Sequence, residues 1–210
     1  MSQLDSIVFD LGNVLISWDP RNLYKKIFKE SEEMEYFLTH VCSQSWNHTL
    51  DGGRDWNLAI ADKVKEFPKY ESEIRAYKDR WPEMLDGEIV EVVRVLRKLS
   101  AVESIQLFAI TNWAHETWPI AQDKFSFLKL FKDIVVSGIE GVCKPEPQIF
   151  ELLLERNQLQ AHQCVFIDDS FPNVIRAREL GFHSHHFLDP DSLKIWLKDC
   201  GFLIPVENDD

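Results

Sequence analysis

The chain has 210 residues and a formal net charge of −12 at pH 7, with 45% hydrophobic and 28% charged residues. This composition is typical of a soluble globular protein, and the length suffices for one large core with a smaller subdomain. The acidic balance argues against a broad surface for nucleic acid or anionic membrane, since both attract basic patches. An anionic substrate would therefore require a local cation or a set of amide dipoles.

Targeting and redox signals favour the cytoplasm. No segment approaches the roughly eighteen consecutive apolar residues of a membrane span, and the N-terminus lacks the basic region of a signal peptide. The four cysteines are widely spaced and form no Cys-x-x-Cys pair, which disfavours a zinc site or a disulfide framework. We expect a cytoplasmic protein with free thiols, without nucleic-acid or membrane partners, and present as a monomer or weak homodimer.

The chain opens with a short apolar strand that ends in a carboxylate. Residues 7–9 form a β-branched and aromatic run, which predicts a buried strand. Asp10 ends this run, and a Gly-Asn pair that can turn the chain follows at once. Open α/β sheets bind ligands at the carboxyl ends of their strands, so Asp10 is a functional candidate, although an aspartate there can also simply cap a turn.

Residues 18–85 show no convincing strand and instead carry apolar residues at helical spacing in four successive segments. The periodic positions are Leu23, Ile27 and Phe28; Met34, Phe37, Leu38 and Val41; Trp56, Ile60, Val64 and Phe67; and Ile74, Tyr77 and Trp81. This pattern predicts about four amphipathic helices, the size of a small bundle. Because the insertion follows the strand that carries Asp10, it would overhang the carboxyl end of the sheet as a cap.

From residue 86 onward, predicted strands and helices alternate. The strands are 105–110, 134–136, 164–167 and 183–187, and the helices are 89–99, 116–124, 146–156, 173–180 and 192–198. This alternation implies an α/β fold with a doubly wound parallel sheet covered on both faces. We therefore predict a Rossmann-like core from residues 1–17 and 86–210, interrupted by an all-helical cap at 18–85.

Three further predicted strands end in polar residues, as the first strand does. These residues are Thr111 with Asn112, Lys144 in the following loop, and Asp168 with Asp169. Because the carboxyl ends of parallel strands share one edge, a hydroxyl, an amide, an ammonium and three carboxylates can converge there. Each group alone is explained by a turn or a helix cap, whereas the four strand ends together favour an active site.

These four segments resemble the motifs of the haloacid dehalogenase superfamily, which is dominated by phosphatases with an aspartate nucleophile. Asp-Leu-Gly-Asn-Val-Leu at 10–15 is similar to the first motif, Thr111 to the second, Lys144 before Pro145 to the third, and Asp168-Asp169 to the fourth. The resemblance extends from about residue 6 to 199, and the insertion matches the cap of the family's first type. The branch it most resembles comprises sugar-phosphate phosphatases near α-glucose-1-phosphatase and the phosphatase domain of soluble epoxide hydrolases.

The resemblance implies a Mg²⁺-dependent hydrolase of phosphate monoesters, sugar phosphates among them, acting through an aspartyl-phosphate on Asp10. It implies that Asp10, Asp169 and the Gly12 carbonyl bind Mg²⁺, with Asp168 in support. Asp10, Thr111 and Lys144 would be catalytic, the last two by holding phosphoryl oxygens. The residues expected around a small phosphorylated substrate are Leu11, Gly12, Thr111, Asn112 and Lys144.

The most polar and glycine-rich part of the insertion is residues 45–54. Trp46 and Arg54 are suited to bind a phosphorylated sugar or another polar organic group, and both are expected substrate contacts. The alternative places Trp46 in the cap core and Arg54 at the start of a surface helix. The sequence leaves both possibilities open.

One position departs from the family's pattern. Most phosphatases of the superfamily have a second aspartate two residues after the nucleophile, which serves as general acid and then general base; here that position is Gly12. Such assistance contributes about 10²–10⁴-fold in rate. A weak phosphatase, a substrate whose leaving group barely needs a proton, or a proton supplied by a cap carboxylate such as Asp51 would each fit. So would a 2-haloacid dehalogenase in which Asp10 attacks carbon, or a catalytically silent binding module.

Overall fold

The computed structural model describes residues 4–204 and contains two sheets. The strands are β1 (Ser6–Phe9), β2 (Ile16–Trp18), β3 (Leu85–Glu88), β4 (Gln106–Thr111), β5 (Asp133–Val136), β6 (Cys164–Asp168) and β7 (His183–His186). Five of them form a parallel sheet in the order β5-β4-β1-β6-β7. Strand β1 lies at the centre, where the chain order reverses, which is the position at which such sheets bind ligands.

Helices cover the sheet and form the insertion. Over the described residues they are α1 (Arg21–Tyr24), α2 (Ser31–Tyr36), α3 (Gln44–Asp51), α4 (Trp56–Glu66), α5 (Glu71–Asp79), α6 (Val90–Ser100), α7 (Trp118–Lys124), α8 (Ser137–Glu140), α9 (Pro147–Asn157), α10 (Phe171–Glu179) and α11 (Pro190–Asp199). A π-helical turn, Phe37–Val41, continues α2. Between residues 4 and 204 no helix has the length and apolar character needed to cross a membrane.

Alternate residues of each buried strand point to opposite sides of the parallel sheet, and apolar side chains occupy both sides. Val8 and its register partners Phe108 and Phe166 pack on one side with α9 and α10. Ile7 and Phe9 belong to the larger cluster on the other side, which includes α6 and α11. The predicted fold class, a doubly wound α/β sheet, is confirmed, and each predicted core strand is present within two residues of its expected bounds.

The insertion lies between the two strands of a small antiparallel ribbon. Strand β2 pairs with β3 in the register Ser17 to Gly87. The sequence did not predict this ribbon, because β2 has only three residues and β3 contains an Asp-Gly pair that is unfavourable in strands. The ribbon brings both connections of the insertion together beside the sheet edge that carries Asp10.

The cap is packed around aromatic rings. The ring centroids of Tyr24 and Phe37 are 4.8 Å apart, and those of Trp46 and Tyr77 are 5.0 Å apart in an edge-on arrangement. The sequence pattern did not predict helix α3, because residues 45–54 are polar and rich in glycine. It begins after Ser43, whose side chain accepts a hydrogen bond from the Trp46 backbone and so caps the helix.

The cap contacts the core through Ser137, at the start of α8. Its Oγ donates to the carbonyl of Asp51 at 2.6 Å and accepts from the Trp113 backbone N–H at 2.9 Å. The next residue, Gly138, lies so close to the β4–α7 loop that an added Cβ would be 2.7 Å from the Trp113 carbonyl and still closer to the His115 nitrogen. Only glycine fits there without displacing backbone.

We therefore predict that Gly138→Ala lowers the free energy of unfolding by about 1–3 kcal/mol, the usual effect of overpacking. Urea denaturation of the purified variant measures it. Gly12→Ala is the matched control, because a Cβ at that position meets no heavy atom within 4 Å. Equal stability of the two variants would contradict the close approach described here.

Candidate active site

A buried ammonium joins three strand ends at the carboxyl edge of the sheet. Lys144 Nζ lies 2.9 Å from Asp10 Oδ1 and 2.7 Å from Asp168 Oδ2, and it donates to the Ile110 carbonyl at 2.8 Å. The Lys144 side chain is only 1% exposed. A buried charge is stable where it is paired and its donors are satisfied, and all three donors of this ammonium have acceptors.

Asn112 positions Lys144 through the backbone. Its Nδ2 donates to the Lys144 carbonyl at 3.0 Å, and its Oδ1 accepts from the Lys144 N–H at 2.8 Å. This two-way bond occupies the Asn112 amide and fixes the loop that delivers the ammonium. Asn112 also lines the cleft, and its hydrogen bonds are with the Lys144 backbone. Its predicted contact with substrate stays a prediction.

Asp168 and Asp169 differ in how their oxygens are used. Asp168 is buried and accepts from Lys144, from the Ser170 N–H and, at both oxygens, from Asn173 Nδ2. The Asp169 carboxylate receives no hydrogen bond from another residue in the part of the chain the structure describes, although the Asp169 backbone carbonyl pairs with His186 Nε2 at 2.9 Å. Asp168 is therefore a supporting group, and Asp169 has carboxylate oxygens available for a ligand.

The acidic residues have the geometry of a metal site. Carboxylate oxygens of Asp10, Asp168 and Asp169 lie within 4.8 Å of one another. Asp10 Oδ1 accepts from Lys144 and from the Leu11 N–H, whereas its Oδ2 has no hydrogen-bond partner among residues 4–204. Hard oxygen ligands in this arrangement suit Mg²⁺. The available oxygens of Asp10 and Asp169 thus fit such an ion.

The charges of the site are unbalanced toward the negative. Burial raises the pKa of Asp10 to about 7; Lys144 opposes this rise, and Asp168 and Asp169 reinforce it. Burial and Asp168 likewise raise the pKa of Asp169. Burial alone would lower the pKa of Lys144, but Asp10 and Asp168 outweigh it and the pKa lies above its ordinary value. Three carboxylates facing one ammonium favour binding of a cation.

The site opens into a cleft of about 340 Å³ between sheet edge and cap. Of the predicted site residues, the cleft is lined by Asp10, Gly12, Asn112, Lys144 and Asp169. Leu11 is buried and contributes its N–H to Asp10. Thr111, at the end of β4, is also buried, and its hydroxyl has no hydrogen-bond partner within the described range. Its role toward a phosphoryl group stays a prediction.

The structure does not bring Trp46 and Arg54 to this cleft. Trp46 is buried against Tyr77 in the cap, because it lies on the face of α3 that packs inward. Arg54 is exposed and pairs with Asp62 at 3.0 Å. The expected substrate contacts are thus replaced by the packing and surface positions that the sequence had left as alternatives.

Other residues of α3 line the cleft instead. They are Gln44, Asn47, His48 and Asp51, and the cleft is completed by aromatic side chains of Trp18, Trp81 and Trp113. The α3 residues recur at i, i+3, i+4 and i+7, which is one face of a helix. This polar stripe is visible in the sequence and could have identified the surface of the cap that faces Asp10.

Comparison with known proteins identifies the family. The model for haloacid dehalogenase-like hydrolases matches residues 4–181. The chain belongs to this family. The membership confirms the resemblance drawn from the four motifs, and it makes the chain a hydrolase by family.

Curated relatives include one protein named as a phosphatase and one named as a flavin mononucleotide hydrolase. Sesquiterpene phosphatase astK of Aspergillus oryzae is 24% identical over 182 residues, 87% of this chain and 89% of its own. Flavin mononucleotide hydrolase 1 of Arabidopsis thaliana is 30% identical over 123 residues, 58% of this chain and 47% of its own. A 56-residue segment is 45% identical to acyl-CoA dehydrogenase family member 10 of Mus musculus, of whose length the chain spans 5%.

Solved structures share the fold. A HAD family enzyme from Bacteroides thetaiotaomicron matches with a TM-score of 0.67 and 23% identity, over 88% of this chain and 93% of that one. L-2-haloacid dehalogenase from Xanthobacter autotrophicus matches with a TM-score of 0.63 and 15% identity, over 94% of this chain and 83% of that one. At these identities the likeness establishes the fold, and function must be argued from the site.

We predict that Lys144→Ala lowers the free energy of unfolding by about 3–5 kcal/mol near pH 8, because the substitution leaves buried carboxylates unpaired. A chelator is present in the measurement so that no metal ion replaces the missing charge. The loss should be smaller at about pH 5.5. The Lys144 ammonium lowers the pKa of Asp10, so this pKa rises further when the ammonium is removed. At the lower pH the folded variant therefore protonates Asp10, which neutralises the unpaired charge.

Urea unfolding at both pH values measures this difference. Lys65→Ala is the control, since that side chain is 79% exposed and pairs only on the surface. An equal loss at both pH values would show that Lys144 contributes packing and no charge compensation.

Proposed function

We propose that the protein is a Mg²⁺-dependent hydrolase of small phosphate monoesters that acts through an aspartyl-phosphate on Asp10. The observation that carries the proposal is that the acidic residues differ in which of their oxygens are already hydrogen-bonded. The oxygens of Asp168 are occupied by hydrogen bonds from Lys144, Ser170 and Asn173. Asp10 and Asp169 keep free carboxylate oxygens in the same cleft. A site with one ammonium and an open pair of carboxylates suits a dianionic phosphoryl group bound together with a divalent cation.

The residues of the chain support distinct parts of this reaction. The Asp10 carboxylate is the nucleophile, oriented by the Leu11 N–H and Lys144. Lys144 places positive charge beside the attacking oxygen, which reduces repulsion between carboxylate and phosphoryl anion. Asp10, Asp169 and the Gly12 carbonyl would hold Mg²⁺. When bound, Mg²⁺ supplies charge neutralisation for the phosphoryl oxygens in the transition state.

The relatives support the same chemistry. One curated relative is named as a phosphatase, and another as a hydrolase of flavin mononucleotide, a phosphate-containing molecule. The Bacteroides HAD family enzyme, in its wild-type form, was crystallised with magnesium and inorganic phosphate, with a TM-score of 0.65 to this chain. These names describe those proteins, and they make phosphate esters the first substrate class to test here.

The cleft suggests the organic part of the substrate. Its volume of about 340 Å³ accommodates a small molecule. Tryptophans and the polar stripe of α3 line it together, a combination that suits a ring with both an apolar face and hydroxyl groups. Sugar phosphates, which the sequence motifs also favour, fit this description.

Dehalogenation is the second candidate, because L-2-haloacid dehalogenase shares the fold and Asp10 is equally placed to attack carbon. That chemistry needs no metal. The excess of carboxylates at the site argues against it, since a haloacid would bring a further carboxylate without a cation to balance it.

We predict that the purified protein releases p-nitrophenol from p-nitrophenyl phosphate in the presence of Mg²⁺, and that Asp10→Asn lowers kcat by at least about 10³-fold, as loss of a nucleophile does. EDTA should abolish the wild-type activity, and added Mg²⁺ should restore it. Asp5→Asn is the matched control at the other end of β1. Turnover of 2-chloropropionate that survives EDTA would overturn the proposal in favour of the dehalogenase.

A separate prediction concerns the metal alone. Asp169→Asn should weaken Mg²⁺ binding by about tenfold or more, because it removes one charged ligand. Isothermal titration calorimetry without substrate measures this affinity. Asp191→Asn is a control, since Asp191 is exposed on α11. Unchanged affinity in Asp169→Asn would contradict the assignment of Asp169 as a metal ligand. The role of Asp10 as nucleophile is tested separately, by the kinetics of Asp10→Asn.

A further inference from the structure

The last residue of α3 presents a second carboxylate to the cleft. Asp51 lines the same space as Asp10, Gly12 and Lys144, although it belongs to the cap. The loop after the nucleophile offers no comparable group, because residues 11–15 contain no titratable side chain. A side chain that protonates the leaving group would therefore have to come from elsewhere in the cleft.

The Asp51 side chain is held in place by the cap. Its Oδ2 accepts from Asn47 Nδ2 at 2.8 Å, and Asn47 Oδ1 in turn accepts from the Tyr77 hydroxyl at 2.7 Å. Tyr77 is buried in the aromatic cap core, so this chain of hydrogen bonds ends on a fixed group. These hydrogen bonds restrict the orientation of the Asp51 carboxyl group.

The backbone of Asp51 is held by the core. Its carbonyl accepts from Ser137 Oγ, which also accepts from the Trp113 N–H. The same residue is thus anchored from both subdomains, at the point where they meet. This anchoring fixes the distance between the Asp51 carboxyl group and the strand ends that carry Asp10 and Lys144.

The electrostatic environment agrees with a proton-carrying role. Burial, and then the charge of Asp10, raise the pKa of Asp51 to about 8, and a hydrogen bond from the Ala114 backbone opposes this rise. A carboxyl group that retains its proton near neutral pH can donate it to a leaving group.

We propose that Asp51 is the general acid and then the general base of phosphoryl transfer at Asp10, the role that Gly12 leaves open. This proposal rests on the proposed phosphatase function. In the first step an Asp10 oxygen bonds to phosphorus, the bond from phosphorus to the ester oxygen breaks, and that oxygen takes the Asp51 proton to leave as the alcohol. In the second, water attacks the phosphoryl group and gives a proton to Asp51, and the bond to Asp10 breaks to release phosphate.

Leaving-group dependence tests the role. An alkyl oxygen must be protonated as it departs, whereas p-nitrophenolate leaves as a stable anion. We expect Asp51→Asn to lower kcat/KM for an alkyl phosphate such as glycerol 1-phosphate by about 10²–10⁴-fold, with less than about tenfold loss for p-nitrophenyl phosphate. The parameter kcat/KM includes only steps up to departure of the leaving group. Because hydrolysis of the aspartyl-phosphate also slows, the variant should show a burst of p-nitrophenol.

A rescue variant separates catalysis from structure. A Cβ at Gly12 meets no heavy atom within 4 Å, so Gly12→Asp can be accommodated. In the Asp51→Asn background it should restore turnover of the alkyl phosphate, which a purely structural role of Asp51 would not allow. Asp62→Asn, an exposed carboxylate of the same cap, is the matched control and should change neither substrate's kinetics.

The outcomes distinguish this proposal from the one on which it rests. Equal losses on both substrates, no loss, or wild-type activity confined to aryl phosphates would overturn the role of Asp51 and leave the phosphatase intact. If His48→Gln, and not Asp51→Asn, showed the loss specific to the alkyl phosphate, the proton would be assigned to His48, which also lines the cleft. That result would also overturn the role of Asp51. Absence of phosphate release from either substrate by the wild type would overturn the phosphatase itself.

Discussion

The buried ammonium of Lys144 is the interaction on which the arrangement of the site depends. Removing such a charge from water costs several kcal/mol unless it is paired and fully hydrogen-bonded. Its acceptors come from three neighbouring strand ends: Asp10 after β1, the Ile110 carbonyl of β4 and Asp168 of β6. A shift of any one strand would leave a buried charge unsatisfied. The ion pair therefore fixes the relative positions of the strand ends as well as the nucleophile's environment.

The same network accounts for the affinity expected for a cation. Lys144 compensates one negative charge, and Asp168 is committed to it through hydrogen bonds that also engage Asn173. The charges of Asp10 and Asp169 remain without an equal opposing charge within the site. An acidic protein that binds a phosphate ester must reverse this local field, and a divalent cation does so without adding a titratable group. On the proposed function, metal dependence follows from charge balance at the sheet edge.

Sequence reasoning succeeded where structure is encoded locally. Four of the five core strands carry their own apolar run, whereas β7 has the sequence His-Ser-His-His. Parallel topology alone brings Asp10, Lys144 and Asp168 to one edge. It failed where long-range contacts decide: Asn112 and Ser137 bond to residues 24 to 86 positions away. Helix α3 was missed because one of its polar faces lines the cleft, which weakens the usual amphipathic pattern. Trp46 and Arg54 were predicted as substrate contacts from their residue types. The position of a residue around the helix decides whether its side chain faces the cleft, and this position places Asn47 and Asp51 there.

Placing the proton carrier on the cap has a consequence that an aspartate at Gly12 would not have. Nucleophile and acid then belong to different subdomains, so the catalytic set is complete only while the cap is docked on the core. The Ser137 hydroxyl makes this dependence direct, since it links the Asp51 carbonyl to the loop after β4. On the proposed mechanism, a substrate that fills the cleft would stabilise the docked cap by contacting both sides, and in doing so it would bring the acid to its leaving group. The same helix, α3, would thereby serve both selection of the organic group and protonation of its oxygen.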